Sequence, residues 1–371
     1  MMQRTMMQSR IDMSKETRKS SSKIKNQTVI KHSIGIDISK DKFDVCYKTY
    51  DLTQRSVIKG SRSFKNTLAD YCQFVQWSAK RQEEGIPQVF TMEATGVYYE
   101  RLAFYLYDHG YHVSVVLPSR SRKYFQSQGI RTKTDKIDAG GLAQMGAEKS
   151  LPIWNRPNDW TVSLRQTTRQ REQIQETRTV LINQKEALLH NGLRNDALIQ
   201  NLNVLLESVD ETLKSLEKQI TTTINQDPVC KKKIECICQI KGVGQLTVAT
   251  LLAETNCFMD FHSGSQLVSY AGYDVVENQS GNHRGPTRIS KQGNSHIRRA
   301  MHMPALGIKK FNGDSVLTNL WDRVYERTKK KMKAYVAVQR KLLVLIYTLW
   351  KNDVEYIPGY KKKPCPKAGL N

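Results

Sequence analysis

The stretch Ile34–Cys46, IGIDISKDKFDVC, constrains this chain more than any other. Ile34, Ile36 and Ile38 alternate with Gly35, Asp37 and Ser39, the period of two that a β-strand imposes. An ionised carboxylate is costly to bury without a partner, so an acid in such a strand needs an outlet. By itself, Asp37 fits a solvated sheet edge or a cap for the turn Ser39–Asp41 as well as it fits a ligand to a metal ion. What separates these readings is whether further acids occur at the ends of comparable elements.

Three do. Gln88–Glu93 (QVFTME) is a second β-rich run, preceded by Gly85 and Pro87 and ending in Glu93. Ala94-Thr95-Gly96 then opens a helical pattern over Val97–Tyr107, so Glu93 is predicted at a strand-to-helix corner, where α/β sheets expose functional groups. In Ile130–Leu142 (IRTKTDKIDAGGL), Thr134 suits an N-cap, and Asp135 and Asp138, three apart, share one face of the helix that follows. Acids in a first helical turn are favoured by the helix dipole alone, so each has a structural reading. Four acids on strand, strand end and helix argue together for one site. Such a site suits one or two hard cations, magnesium or another divalent ion, which take oxygen ligands and serve phosphoryl transfer. A predicted helix over Asn66–Lys80 and the buried strand VSVVL, Val113–Leu117, complete an α/β pattern.

Charge supports a polyanionic partner. Lys plus Arg number 58 against 35 Asp plus Glu, a formal balance of +23. Arg120, Arg122, Lys123, Arg131 and Lys133 are predicted to form a basic loop that leads into Asp135, an arrangement suited to a phosphodiester beside a metal. No apolar run approaches a membrane span, and the longest, Leu342–Trp350, reads as a buried helix. The N-terminal segment is polar and basic, and seven cysteines form no CxxC pair. These features predict a reduced, cytoplasmic protein with no membrane partner. A sugar- or acetate-kinase-like ATPase also begins with a strand reading GID, but no later glycine-rich phosphate loop follows here and the charge is wrong for a small metabolite. A non-catalytic DNA-binding protein would keep the basic segments and have no need of four acids.

The second half reads as helical. Pro152 and Pro157 punctuate a boundary, followed by polar helices over Val162–Leu193 and about Leu198–Ile224. Leu202, Leu206, Val209, Leu213, Leu216 and Ile220 step by fours and threes, the rhythm of a coiled coil, formed either within the chain or between chains. Ile234–Glu254 resembles a helix-hairpin-helix, with Gly242 and Gly244 in the turn and backbone amides free to approach a phosphate. Leu267–Arg299 carries LVSYAGY, NQSGNHRGPTR and ISKQGNSHIRR, and its middle piece, Asn278–Arg288, is predicted as a loop.

GIDISKDKFDV, MEATGVYYE and RTKTDKIDA, in that order, resemble the N-terminal domain of DEDD-type insertion-sequence transposases, a family that includes Piv-like DNA invertases and bridge-RNA-guided recombinases. The resemblance implies a RuvC-like (RNase H-like) α/β domain whose four acids are Asp37, Glu93, Asp135 and Asp138. It also implies a C-terminal transposase domain with a nucleophilic serine in the Ser-Gly segment, here Ser280, with Ser290 as the rival position. Arg284, Arg288, Lys291, Arg298 and Arg299 surround that serine in sequence and would neutralise a scissile phosphate. Tyr273-Asp274-Val275 departs from the family, which often has a proline after its YxGL. The domains expected are a basic arm (1–30), the RuvC-like domain (31–152), a helical coiled-coil linker (153–230), a mainly α transposase domain (231–352) and a basic tail (353–371). The function implied is site-specific recombination of donor and target DNA through a serine–DNA link, with a guide RNA and a dimer or tetramer. The rival is a RuvC-like junction resolvase that hydrolyses DNA with water, which the acids alone fit equally.

Overall fold

The computed structural model describes residues 28–358, apart from 131, 194, 282, 286 and 312–314 and the side chains of Arg284 and Ser315. Most of the predicted basic arm, the tail beyond 358 and Arg131 therefore lie outside the described residues. The chain divides into two compact units at Arg156–Pro157, an α/β unit followed by a mostly helical one.

The first unit runs β1 (Val29–Ile38), β2 (Lys42–Asp51), β3 (Ser56–Lys65), α1 (Leu68–Ala79), β4 (Gln88–Glu93), α2 (Glu100–Asp108), β5 (His112–Val116), α3 (Pro118–Ser127) and α4 (Asp135–Glu148). The strands form one sheet in the order β3-β2-β1-β4-β5. β1, β2 and β3 pair antiparallel, whereas β4 runs parallel to β1 and β5 parallel to β4. Alternation sorts the side chains. Ile34, Ile36 and Ile38 join Phe43, Val45 and Tyr47 on the face that packs with Tyr71, Phe74 and Trp77 of α1. Gly35, Asp37, Asp44 and Cys46 take the opposite face, where Cys46 clusters with Ala139 and Ala143 of α4.

α4 lies directly on β1 because Gly35 has no side chain. A Cβ there would stand 2.0 Å from the Ala139 carbonyl oxygen and 2.2 Å from the Ala143 nitrogen. Gly146, further along the same helix, would meet Thr91 Oγ1 at 2.2 Å. This close approach fixes the height of the first turn of α4 over the sheet. Gly35→Ala should destabilise the protein by about 3 kcal/mol, because neither backbone can yield without lifting the helix. Urea unfolding measures it, and a loss below about 1 kcal/mol would mean that α4 slides freely. The segment leaving this unit is tied down by Trp154, stacked at 5.7 Å on Phe104, and by Arg156, 3.3 Å from Asp108.

The second unit opens with α5 (Asp159–Leu189) and α6 (Asp196–Asn225). They pair within the chain, with Leu213 and Ile220 buried, and with ion pairs from Arg171 to Glu217 (2.8 Å) and from Arg178 to Asp210 (2.5 Å). The heptad-like stripe is thus used at least in part by an intramolecular hairpin. There follow α7 (Pro228–Cys238), α8 (Gln245–Glu254), α9 (Gly264–Tyr270), four two-residue strands β6 (Val275–Val276), β7 (Gln279–Ser280), β8 (His283–Arg284) and β9 (Arg288–Ile289), then α10 (Ser295–Ala300), α11 (His302–Lys310), α12 (Ser315–Thr328) and α13 (Lys331–Asn352). α8 and α13 supply much of the core, through Val248, Leu251, Leu252, Leu342, Leu343 and Ile346. Tyr356, inside the predicted tail, is buried against the same core. Among the described residues no helix is long and apolar enough to cross a membrane.

Candidate acidic site and the serine hairpin

Asp37 is the next-to-last residue of β1, and Glu93 is the last of β4. Because the two strands are parallel neighbours, both acids stand at carboxyl ends of the sheet, where α/β folds place their ligands. Asp135 and Asp138 occupy the first turn of α4, which Thr134 caps by accepting a 3.3 Å bond from the Ile137 amide. Asp37 lies within electrostatic reach of the other three acids, and Asp138 within reach of Glu93 and Asp135. Burial first, and then the charges of Asp138, Asp135, Glu93 and Asp44, push the Asp37 carboxyl up to about 6. Burial likewise raises Asp138, with Glu93 and Asp135 adding to the rise and Lys133 opposing it.

The acids do not close on one point. Among the described residues no three His, Cys, Asp or Glu side chains stand together at metal-ligating spacing. Each outer acid has its own protein donors. Glu93 accepts from Thr95 Oγ1 (3.0 Å) and from the buried Ser121 Oγ (2.5 Å). Asp135 accepts from Lys42 Nζ at 2.8 Å, and that bond holds its carboxyl below the usual range. Lys42 also reaches Asp44, at 2.9 Å, and Asp44 is the cross-strand partner of Asp37. The donor set is nonetheless of the right chemistry for a hard cation: oxygen ligands only, with mutual repulsion that a positive ion would relieve. Sequence reasoning missed Lys42, Asp44, Thr95 and Ser121. Only the register across the Ser39–Asp41 turn reveals the first two, by setting Asp44 opposite Asp37.

The predicted basic loop is corrected in part: Arg120, Arg122 and Lys123 lie on helix α3. Pro118 starts that helix with its backbone preset, and Ser121 and Tyr124 bury one face. The three cations are thereby turned to the exposed side of the helix that carries Ser121 to Glu93, and Lys133 is exposed just before Asp135.

In the second unit the predicted loop Asn278–Arg288 is a short hairpin in two tiers. Val275 pairs with Ile289 and Ser280 with His283, and Gly281, at φ 54°, helps make the turn. A glycine takes that conformation without steric cost, which is why charge and polarity alone suggested a loop. Ser280 is exposed beside the turn, with His283 as its register partner. Ser290 sits instead in stitched backbone: its amide donates to Asp274 O (2.7 Å), and its hydroxyl accepts from the Gln292 amide (3.3 Å). Arg284 lies in β8, Arg288 in β9, and Arg288 and Lys291 are exposed. Arg298 is turned onto the carbonyl oxygens of Ala271, Gly293 and Asn294 (2.8, 3.2 and 3.3 Å), and Arg299 is paired with Glu172 and Glu176. Gly242, at φ 92°, lets its backbone approach Pro304 and Ile308 of α11, whereas Gly244 is the exposed N-cap of α8.

The chain thus carries acids at the ends of parallel strands in an α/β unit that a helical unit follows, and the known proteins it resembles say what class this is. Residues 34–192 match a family model of DEDD IS110-type proteins described as "Transposase", and residues 234–319 match one described as "Transposase IS116/IS110/IS902 family". The chain is 30% identical to the pilin gene-inverting protein of Moraxella lacunata over 85% of its own length and 94% of that protein. It is 29% identical to the protein of the same name from Moraxella bovis over the same shares, and 23% identical to the transposase for insertion sequence element IS1111A of Coxiella burnetii over 95% of this chain and 97% of that one. The chain belongs to the IS110 family of DEDD transposases and is a DNA recombinase or transposase enzyme.

Proposed function

We propose that this protein is the site-specific recombinase of an insertion sequence, cutting and rejoining DNA with a divalent-metal site on its first unit and a serine nucleophile on its second. The observation that carries the reading is that acids from three elements meet electrostatically: the charges of Glu93 and Asp135 add to the rise of both Asp37 and Asp138, and the charge of Asp138 adds to that of Asp37. The sheet order β3-β2-β1-β4-β5, with β2 antiparallel between β1 and β3, supports a RuvC-like, RNase H-like reading of that unit. Asp37, Glu93, Asp135 and Asp138 would hold the ion, magnesium in the family's pattern. A bound hard cation there polarises the scissile phosphate and stabilises the departing oxygen.

This chain's own groups do the rest. Ser280 Oγ attacks phosphorus, the bond from phosphorus to the leaving deoxyribose oxygen breaks, and that oxygen leaves as a hydroxyl on the cut end. The phosphodiester is conserved as a serine–DNA ester, so the reverse attack by a DNA hydroxyl rejoins strands without a high-energy cofactor. Ser280's exposure on the hairpin supports its choice over Ser290, whose hydroxyl is engaged. Arg288, Lys291 and the exposed cations of α3 would meet phosphates of donor and target DNA. A structured guide RNA and a homo-oligomer, dimer or tetramer, follow from the family resemblance.

Asp135→Ala tests the acidic site. Thr134 still caps α4, and the carboxylate lost is half exposed, so thermal unfolding should stay within a few degrees of wild type. Cleavage of end-labelled DNA in the presence of magnesium should disappear. Cleavage at wild-type rates would remove the acids from the chemistry.

A further inference from the structure

We propose that the Lys42 ammonium is the resident counter-ion of the acidic site, and that a divalent cation must displace it from Asp135 in order to bind. The proposal rests on reading the acids as a metal site. Lys42 and Asp44 are two apart on β2 and so share the sheet face of Asp37, the face that α4 covers. The ammonium lies 2.9 Å from Asp44 Oδ2 and 2.8 Å from Asp135 Oδ2, joining the strand acids to the helix acids. Asp44 thus aims the lysine at Asp135.

Stability does not account for this arrangement. The Lys42 side chain is 50% exposed and that of Asp135 57% exposed, and ion pairs of that kind contribute about 0–1 kcal/mol. A bond so weak is readily exchanged. One ammonium, with a single charge and three donors, relieves the repulsion at Asp135 but, among the described residues, leaves Asp37, Glu93 and Asp138 without a shared cation. A divalent ion drawing on all four acids would compete for Asp135 from a stronger position, and the lysine would swing out toward solvent. Lys42 therefore sets the concentration of metal at which the site fills.

The test is direct Mn2+ binding to the full chain without DNA, read from the electron paramagnetic resonance signal of the free aquated ion. Lys42→Met and Lys42→Gln, two variants so that one misfolding does not decide the matter, should bind about three- to fivefold more tightly than wild type. Lys133→Met is the control for charge at a distance, because Lys133 acts on Asp135 and Asp138 through its field. It should shift the dissociation constant by less than about twofold at physiological salt. Unchanged affinity in both Lys42 variants overturns the proposal, and so does an equal gain in Lys133→Met, which would make the effect a general field. Asp37→Asn separates the underlying reading. If that variant binds Mn2+ as wild type does, the acids are not the metal site, and the proposal falls with that reading rather than through Lys42.

Discussion

Ser280→Ala should abolish the covalent protein–DNA adduct and strand cleavage together, lowering both by at least about a thousandfold, because in the proposed mechanism that hydroxyl is the attacking atom. The measurement is denaturing electrophoresis of metal-supplemented reactions on end-labelled DNA. Ser290→Ala is the matched control. It removes the acceptor for the Gln292 amide, which costs about 1 kcal/mol of stability, and should leave the adduct in place. The reverse pattern, adduct retained in Ser280→Ala and lost in Ser290→Ala, would identify Ser290 as nucleophile. Cleavage by wild type with no adduct at all would move the enzyme to water-using hydrolysis, the junction-resolvase chemistry that the four acids equally suit.

The acids were legible in sequence because period-two alternation shows where a carboxylate interrupts a buried strand, and because an N-cap locates the first turn of a helix. Asp37, Glu93, Asp135 and Asp138 needed no tertiary information to be singled out. What surrounds them did. Lys42 and Asp44 enter the site only through strand register, and Ser121 reaches Glu93 only because α3 returns over the end of β4. β3 carries little signal of its own because it is an edge strand with most of its side chains exposed, so the alternation that marks β1 is missing. α3 was hidden by its charge: Arg120, Arg122 and Lys123 suggest a loop until Ser121 and Tyr124 are seen to be its buried side. Gly242 shows the converse ambiguity. A glycine in a turn suggested a phosphate, and its packing against Pro304 and Ile308 supplies a structural reason for the same residue. In each case the local pattern was ambiguous, and contacts distant in sequence decided it.

Asp37→Asn should make the metal-free protein more stable while eliminating cleavage. The carboxyl is raised from an ordinary 3.8 to about 6, first by burial and then by neighbouring acids. Ionising it in the folded protein at neutral pH is therefore disfavoured by roughly 3 kcal/mol. Asparagine removes the charge but keeps a polar group that still has to be desolvated, so the net gain expected is about 1–2 kcal/mol. For a chain of this size that is a rise in melting temperature of roughly 2–8 °C. The pH dependence follows from the direction of the shift. Between about 4 and 6 the folded wild type holds a proton that the unfolded chain has released, so its stability falls as pH rises through that window. The variant has no such proton. Its advantage should be complete above pH 6 and should vanish as pH falls toward 4. Thermal unfolding in EDTA across this range measures it, and a melting difference that is flat with pH would contradict the burial of Asp37 among other acids. Adding Mn2+ should reverse the order, raising the melting point of wild type and leaving the variant nearly unmoved, since an ion that binds only the folded state stabilises it. A carboxylate that costs stability without metal and gains it with metal is one kept for binding rather than for folding.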